Sequence, residues 1–207
     1  MSVKLAIIYY SMSGTNYKLS KWAEEAAKEA GAQVRVLKVQ ELAPQSVIDG
    51  VPPWKAHTEA TKDVPVASLQ DLEWADAFIF SIPTRFGSIA AQIRQFLDTT
   101  GPLWAQGKLT NKVVSAMSSA GNANGGQEAS LLSFYTNMYH WGAIIAAPGY
   151  TDMASSIPAG GNPYGTSVTV RQEDGSFVEG EDNIKAAVYH QAKRTVAVAD
   201  IIKKGSQ

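Results

Sequence analysis

The stretch IIYYSMSGTNYKLSKWAEEAAK, residues 7–28, joins three kinds of sequence without a break. Ile7 to Tyr10 is apolar. Ser11 to Asn16 carries no charge. From Tyr17 onward, Ala alternates with Lys and Glu in the manner of an amphipathic helix. The middle piece sits where a buried strand hands over to that helix. At such a handover the first helical N–H groups lack an intrahelical acceptor, and the macrodipole favours an anion. Ser11, Ser13 and Thr15 add hydroxyl donors, Gly14 permits close backbone approach, and Met12 and Asn16 complete the loop. A phosphate bound here would need neither Lys nor Arg.

Working outward, three further apolar runs read as strands: Val34–Val39, Ala77–Ile82 and Val113–Met117, with a shorter fifth at Ala143–Ala147. Runs without polar alternation suit strands covered on both faces, as in a parallel sheet. Helical patterns lie between them. Tyr17–Ala30 is the first; Ser88 is expected to cap a second that carries Ile89, Ile93, Phe96 and Leu97. Gln127–Trp141 presents Leu131, Phe134, Tyr135 and Met138. Asn183–Lys203 closes the chain, with Asp182 as its expected cap. Five rounds of alternation imply an α/β, doubly wound, five-stranded parallel sheet with helices on both faces, built as a single domain over 1–207. Gln40–Ser68 and Pro148–Gly180, rich in Pro or Gly, have no place in a minimal sheet of this kind and are expected to build interfaces or site walls.

Composition sets limits on function. The 207 residues are 45% hydrophobic and 18% charged with a net charge of −1, which argues against a basic nucleic-acid footprint. Cysteine is absent, so disulfides, thiolate catalysis and cysteine-based zinc sites are excluded. No metal-ligand spacing is present. No run approaches the ~20 apolar residues of a membrane span, and the start is too short and weakly flanked for a signal peptide. A cytoplasmic location is expected.

The first loop is neither a Walker A motif, lacking Gly-Lys-Ser/Thr, nor a dinucleotide fingerprint, since Gly14 is its only glycine. Two more small-residue loops begin where strands end. SIPTRFGSIAAQIRQFLDTTGPLW starts at Ser81 and MSSAGNANGGQE at Met117. Ligands of open α/β sheets sit beyond the carboxyl ends of the strands, so all three loops are expected to converge on one crevice.

These three segments, with HWGAIIAAPGY and GGNPYG, resemble the flavodoxin-like NAD(P)H:quinone oxidoreductases of the tryptophan-repressor-binding-protein (WrbA) family. The resemblance covers nearly the whole chain from Lys4. Its most specific part is Pro83-Thr84-Arg85-Phe86-Gly87, followed by Phe96-Leu97-Asp98 and by Gly101 and Trp104. It implies FMN, NADH or NADPH as co-substrate, a quinone as acceptor, and a homotetramer. It assigns the FMN phosphate to Ser11–Asn16 and places Pro83, Thr84, Arg85, Phe86 and Gly87 beside the flavin ring. Ser119, Ala120, Gly121, Asn122, Ala123, Asn124 and Gly125 are assigned to the polar edge of the ring. It also associates His140 with the flavin site and Trp104 with the substrate side. Ser13 stands where many members carry a tyrosine implicated in nicotinamide binding, and the 119–125 loop is one residue longer than the common pattern.

Considered singly, Arg85 is either a solvated surface arginine or a cation that stabilises negative charge on reduced flavin. His140 falls opposite the apolar stripe of its helix and so faces away from its own sheet. It is either exposed or turned toward a ligand or subunit. His57 and His190 read as surface residues. Two other functional classes share the first loop: a one-electron flavodoxin-type carrier and a regulatory flavoprotein binding a protein partner.

Overall fold

The computed structural model describes residues 2–205. β1 (Lys4–Tyr9) is the pivot, because its side chains alternate between two apolar layers and almost none reaches water. Leu5 and Ile7 enter one layer, with α1 (Thr15–Glu29) and α9 (Glu181–Gly205). Ala6 and Ile8 enter the other. That layer also holds Ile93 and Phe96 of α5 (Ala91–Asp98) and Leu131 and Phe134 of α7 (Gln127–His140). Each large side chain buried in this way contributes about 1.5–3 kcal/mol.

β1 pairs in parallel with β2 (Gln33–Lys38) on one side and β3 (Ala77–Arg85) on the other. β3 then pairs with β5 (Val113–Ala120). The next position is divided. β6 (Ile144–Ile145) takes the amino-terminal part of β5, and β7 (Ser167–Thr169) takes its last three residues. The order 2-1-3-5-6 is therefore the expected five-position doubly wound sheet. The fifth run is shorter than the sequence suggested. Pro148–Gly180 also contributes a strand, contrary to its expected exclusion from the sheet. It carries α8 (Met153–Ser156) as well. Gln40–Ser68 folds as α2 (Gln45–Asp49) and α3 (Pro52–Ala60), after which α4 (Leu69–Trp74) leads into β3.

Two helix starts differ from expectation. Ser88 does not cap α5; Ser88 and Ile89 form β4, which turns back to pair Thr84 with Ile89 and Arg85 with Ser88. The turn residues Phe86 and Gly87 both adopt positive φ, 51° and 74°, the requirement of a tight reversal matched to strand twist. Asp182 lies inside the first turn of α9 rather than ahead of it.

At the amino ends of the strands the polar groups are matched. Asp76 Oδ2 accepts from Lys203 Nζ at 2.6 Å and from the Lys4 N–H at 2.8 Å. Lys112 Nζ donates to the Glu73 carbonyl at 3.2 Å and to that of Ala75, closing the end of α4. Among the described residues no helix is long and apolar enough to cross a membrane.

Candidate functional site

The opposite, carboxyl ends of β1, β3 and β5 carry the three loops, and hydrogen bonds tie them into one crevice. Asn16 is the central tie. Its Nδ2 donates to Ser119 Oγ at 2.8 Å, and Ser81 Oγ donates to its carbonyl and its Oδ1, both at 3.1 Å. The Asn16 side chain is therefore occupied in joining loops, which leaves its backbone N–H as the group able to meet a ligand. Thr84 does the same between the second and third loops. Its hydroxyl donates to the Gly125 carbonyl at 3.3 Å and accepts from Ser130 Oγ at 2.7 Å.

Glycine makes the junction of these loops possible. A Cβ on Gly126 would stand 2.6 Å from Gly87 Cα, and one on Gly125 would stand 2.4 Å from Ala120 Cβ. Gly126 also has φ 91°. The two backbones thus touch where any side chain would push them apart.

The first loop fits a phosphate. α1 begins at Gly14, φ 99°, with no side-chain cap and no acid in its first turn. By contrast, α4 is closed by Ser68 and Asp71 in a reciprocal capping box. Ser11 Oγ accepts from the Gly14 N–H at 3.0 Å and so fixes the loop. Ser13 is exposed, Thr15 half-buried, and both hydroxyls lie at the open helix start. Fifteen aligned residues with an unclosed, acid-free amino end are able to hold an anion there.

Pro83 is buried near the end of β3, and Arg85, its last residue, extends its side chain toward the first loop. Arg85 Nη1 donates to the Thr84 carbonyl at 3.0 Å, while Nη2 lies 4.0 Å from Met12 Sδ. Among the described residues its guanidinium has no carboxylate partner. Phe86, at the turn, is as exposed as in an extended chain, 108% of the reference area. In the third loop Ser119 and Ala120 are the last residues of β5 rather than loop, and both are buried. Gly121, Asn122, Ala123 and Asn124 are exposed.

Trp104 lies on α6 (Gly101–Ala105), exposed, and its indole Nε1 donates to the His140 carbonyl at 2.8 Å. His140, associated with the flavin site, and Trp104, associated with the substrate side, are thus neighbours joined by one hydrogen bond. α7, however, runs from the crevice at Gly126 to the amino ends of the strands, where the Asn111 N–H donates to the Gly142 carbonyl and Ile144 pairs with Val113. Neither residue therefore reaches the crevice of its own chain. The His140 side chain is exposed and turned away from the sheet, as the helix phase required.

A cluster unread in the sequence fastens the rim. The Glu41 carboxylate accepts from Tyr10 OH (3.0 Å), Trp54 Nε1 (3.2 Å), Gln92 Nε2 (2.9 Å) and the N–H groups of Leu42 (2.8 Å) and Ala43 (3.0 Å). Burial alone would raise its pKa, but these donors outweigh that effect and hold the carboxyl below its ordinary value. Burial, followed by the Glu41 charge, pushes the Tyr10 phenol well up. Tyr10 roots the first loop and Gln92 follows the second, so one carboxylate staples both. The available signal was Glu41 as the first acid after β2, too ordinary to single out. His57 is also not a simple surface residue. Its Nδ1 lies 3.6 Å from where a Cβ on Gly14 would be, and its ring lies 5.7 Å from that of Tyr17. His190 is half-buried, 2.8 Å from Thr151 Oγ1.

Comparison with known proteins agrees with this geometry. Residues 3–154 match the profile of the NADPH-dependent FMN reductase family. A Deinococcus radiodurans protein named NAD(P)H dehydrogenase (quinone) is 53% identical, covering 94% of each chain. One of the same name from Aromatoleum aromaticum is 37% identical over 98% of this chain and 99% of its own. The crystal structure of the flavodoxin, WrbA-like protein from Agrobacterium tumefaciens superposes with a TM-score of 0.60 at 16% identity, covering 98% and 99% of the chains. The chain therefore belongs to the NADPH-dependent FMN reductase family and has the flavodoxin-like α/β fold.

Proposed function

We propose that this protein is an FMN-dependent NAD(P)H dehydrogenase that reduces quinones. The observation that carries the reading is 53% identity over 94% of the chain to a relative named for that activity. It is joined here to a crevice whose first loop suits a phosphate. When bound, FMN supplies the centre that takes a hydride from NAD(P)H and passes two electrons to the quinone.

The chain's own residues bind, orient and shield. The N–H groups at the start of α1, with the hydroxyls of Ser13 and Thr15, hold the phosphate. Thr84–Gly87 and Gly121–Gly125 line the ring. Arg85, lacking a carboxylate partner, offers positive charge to the pyrimidine edge. Trp104 and His140 lie toward the amino ends of the strands in their own chain, so they would form a wall for nicotinamide and quinone only over the flavin of a second copy. No side-chain base is required. One face serving both substrates gives ping-pong kinetics. Parallel lines in double-reciprocal plots of NADH or NADPH against benzoquinone are the expected result; intersecting lines contradict the shared face.

A second reading, a one-electron carrier, finds support in the fold, since a flavodoxin from the domain Archaea superposes with a TM-score of 0.55 at 14% identity. Net charge of −1 supplies little of the charged docking surface such carriers use. Negligible turnover of NADH and NADPH by the FMN-loaded protein would favour it.

We place the chain, as one domain, in a homotetramer. Phe86 stands in water at the crevice, Trp104 and Tyr139 do so at the far end of α7, and Tyr150, Met153 and Ile157 do so on the Pro148–Gly180 segment. A second copy covering them would remove a costly apolar surface. Light scattering of the FMN-loaded protein tests this, and a monomeric mass refutes it. The lack of cysteine suits a reducing cytoplasm.

A further inference from the structure

On the far side of the first loop, away from β3 and β5, the carboxyl end of β2 opens into a cavity of about 270 Å³. Tyr9, Ser11, Lys38, Gln40, His57 and Thr61 are among its walls. β1 divides it from the flavin crevice, and Ser11 lies at the boundary. α3 forms its outer side, so the Gln40–Ser68 insertion creates the cavity.

Three donors belong to its walls: the Tyr9 hydroxyl, the Lys38 ammonium and a His57 ring N–H. Tyr9 is 1% exposed, and its hydroxyl has no hydrogen-bond partner among the described residues. The Thr61 hydroxyl, which acts on the Tyr9 phenol from close by, donates to the His57 carbonyl at 2.8 Å. An orphaned buried hydroxyl is costly, and native interiors avoid it. Burial, then the nearby Tyr17, pushes the Tyr9 phenol far up, so it remains a donor at every physiological pH.

Lys38 Nζ donates to the Thr61 carbonyl at 2.6 Å and distantly to that of Lys62 at 3.5 Å. An ammonium has three N–H bonds, and among the described residues Lys38 meets no carboxylate. Glu41, on the same wall, already accepts five hydrogen bonds. Burial, then Lys38, pulls the His57 pKa down. The ring is thus neutral at pH 7 and keeps one N–H. A water molecule would satisfy Tyr9 but leave the Lys38 charge without a counter-ion.

We propose that this cavity is a second binding site, distinct from the flavin crevice, for a phosphate or carboxylate group held by Tyr9 OH, Lys38 Nζ and a ring N–H of His57. The site is ready-made on the rigid end of two strands. It lies directly behind Gly14, so an anion bound there presses on the loop that holds the flavin phosphate.

The test uses FMN-loaded protein, so that the first loop is filled, and follows the melting temperature against inorganic phosphate or acetate at constant ionic strength. Wild type should show a saturable rise with one of the two, roughly 5 °C near a hundredfold excess over the dissociation constant. Tyr9→Phe and Lys38→Met should abolish it. Tyr9→Phe should also melt above wild type without added anion, having lost the orphaned hydroxyl. No saturable rise with either anion, or an equal rise in Tyr9→Phe, overturns the proposal. A rise confined to flavin-free protein also overturns it, by assigning the anion to the first loop. The proposal does not rest on the flavin reading: if FMN fails to load, the wild-type and Tyr9→Phe comparison on the chain alone decides it.

Discussion

The two ends of the sheet are built from similar residues and differ in how completely those residues are satisfied. At the amino ends, Asp76 meets Lys203 and the Lys4 N–H, and Lys112 closes α4. At the carboxyl ends, α1 starts without a side-chain cap and Phe86 stands in water, while among the described residues Arg85 has no carboxylate partner and the Tyr9 hydroxyl has no hydrogen-bond partner. Folding alone would favour closing these positions as the other end is closed. That they stay open is what the proposed ligand sites require.

The largest expected effect is on the first loop. Thr15→Asp places a carboxylate against the phosphate and should weaken FMN binding by about a hundredfold or more, since like charges a few ångströms apart repel by several kcal/mol. Flavin fluorescence quenching measures it. Undiminished affinity would remove the phosphate from this loop.

Next is Gly126→Ala. The methyl would stand 2.6 Å from Gly87 Cα at a residue with φ 91°. It should cost about 2–3 kcal/mol in urea unfolding and also loosen FMN. Gly31→Ala is the control. It has φ 83° but nothing within 4 Å. It should cost about 1 kcal/mol and leave FMN untouched. Equal costs would break the claim that loops two and three are held in backbone contact.

Asp76→Ala probes the closed end. It strips two donors of their acceptor and should cost about 2 kcal/mol of stability with no change in flavin affinity. A matching loss of affinity would show that the two ends are not independent.

The smallest effect is a pH dependence. The His57 pKa lies below its ordinary 6.5 in the folded protein, through burial and then Lys38. The unfolded chain therefore binds the proton more readily. The resulting stability is full above pH 6.5 and is lost as pH falls toward the folded value. His57→Gln should flatten that part of the stability–pH curve, and an unchanged slope would assign it elsewhere.

The closed regions were easy to read in the sequence because burial writes itself as apolar runs. Ala77–Ile82 and Val113–Met117 lie wholly on observed strands, Val34–Val39 does so up to Lys38, and the phase of α7 placed His140 outward. The first loop was legible through its helix-start chemistry. Ser88 was misread because a capping serine and a strand serine look alike until the Phe86–Gly87 turn reverses the chain. β7 was missed because three residues inside a Gly- and Pro-rich segment give no periodicity. Glu41 and His57 act through partners distant in sequence, and no local pattern announces such a contact.

The central claim is that the open end of the sheet is held open for a phosphate-bearing flavin. Parallel titrations of the flavin-free protein with FMN and with riboflavin test it most directly, because the two ligands differ only in the phosphate. FMN should bind about a hundredfold or more tighter, the worth of two charge-assisted hydrogen bonds at the start of α1. Equal affinity for the two would contradict the account.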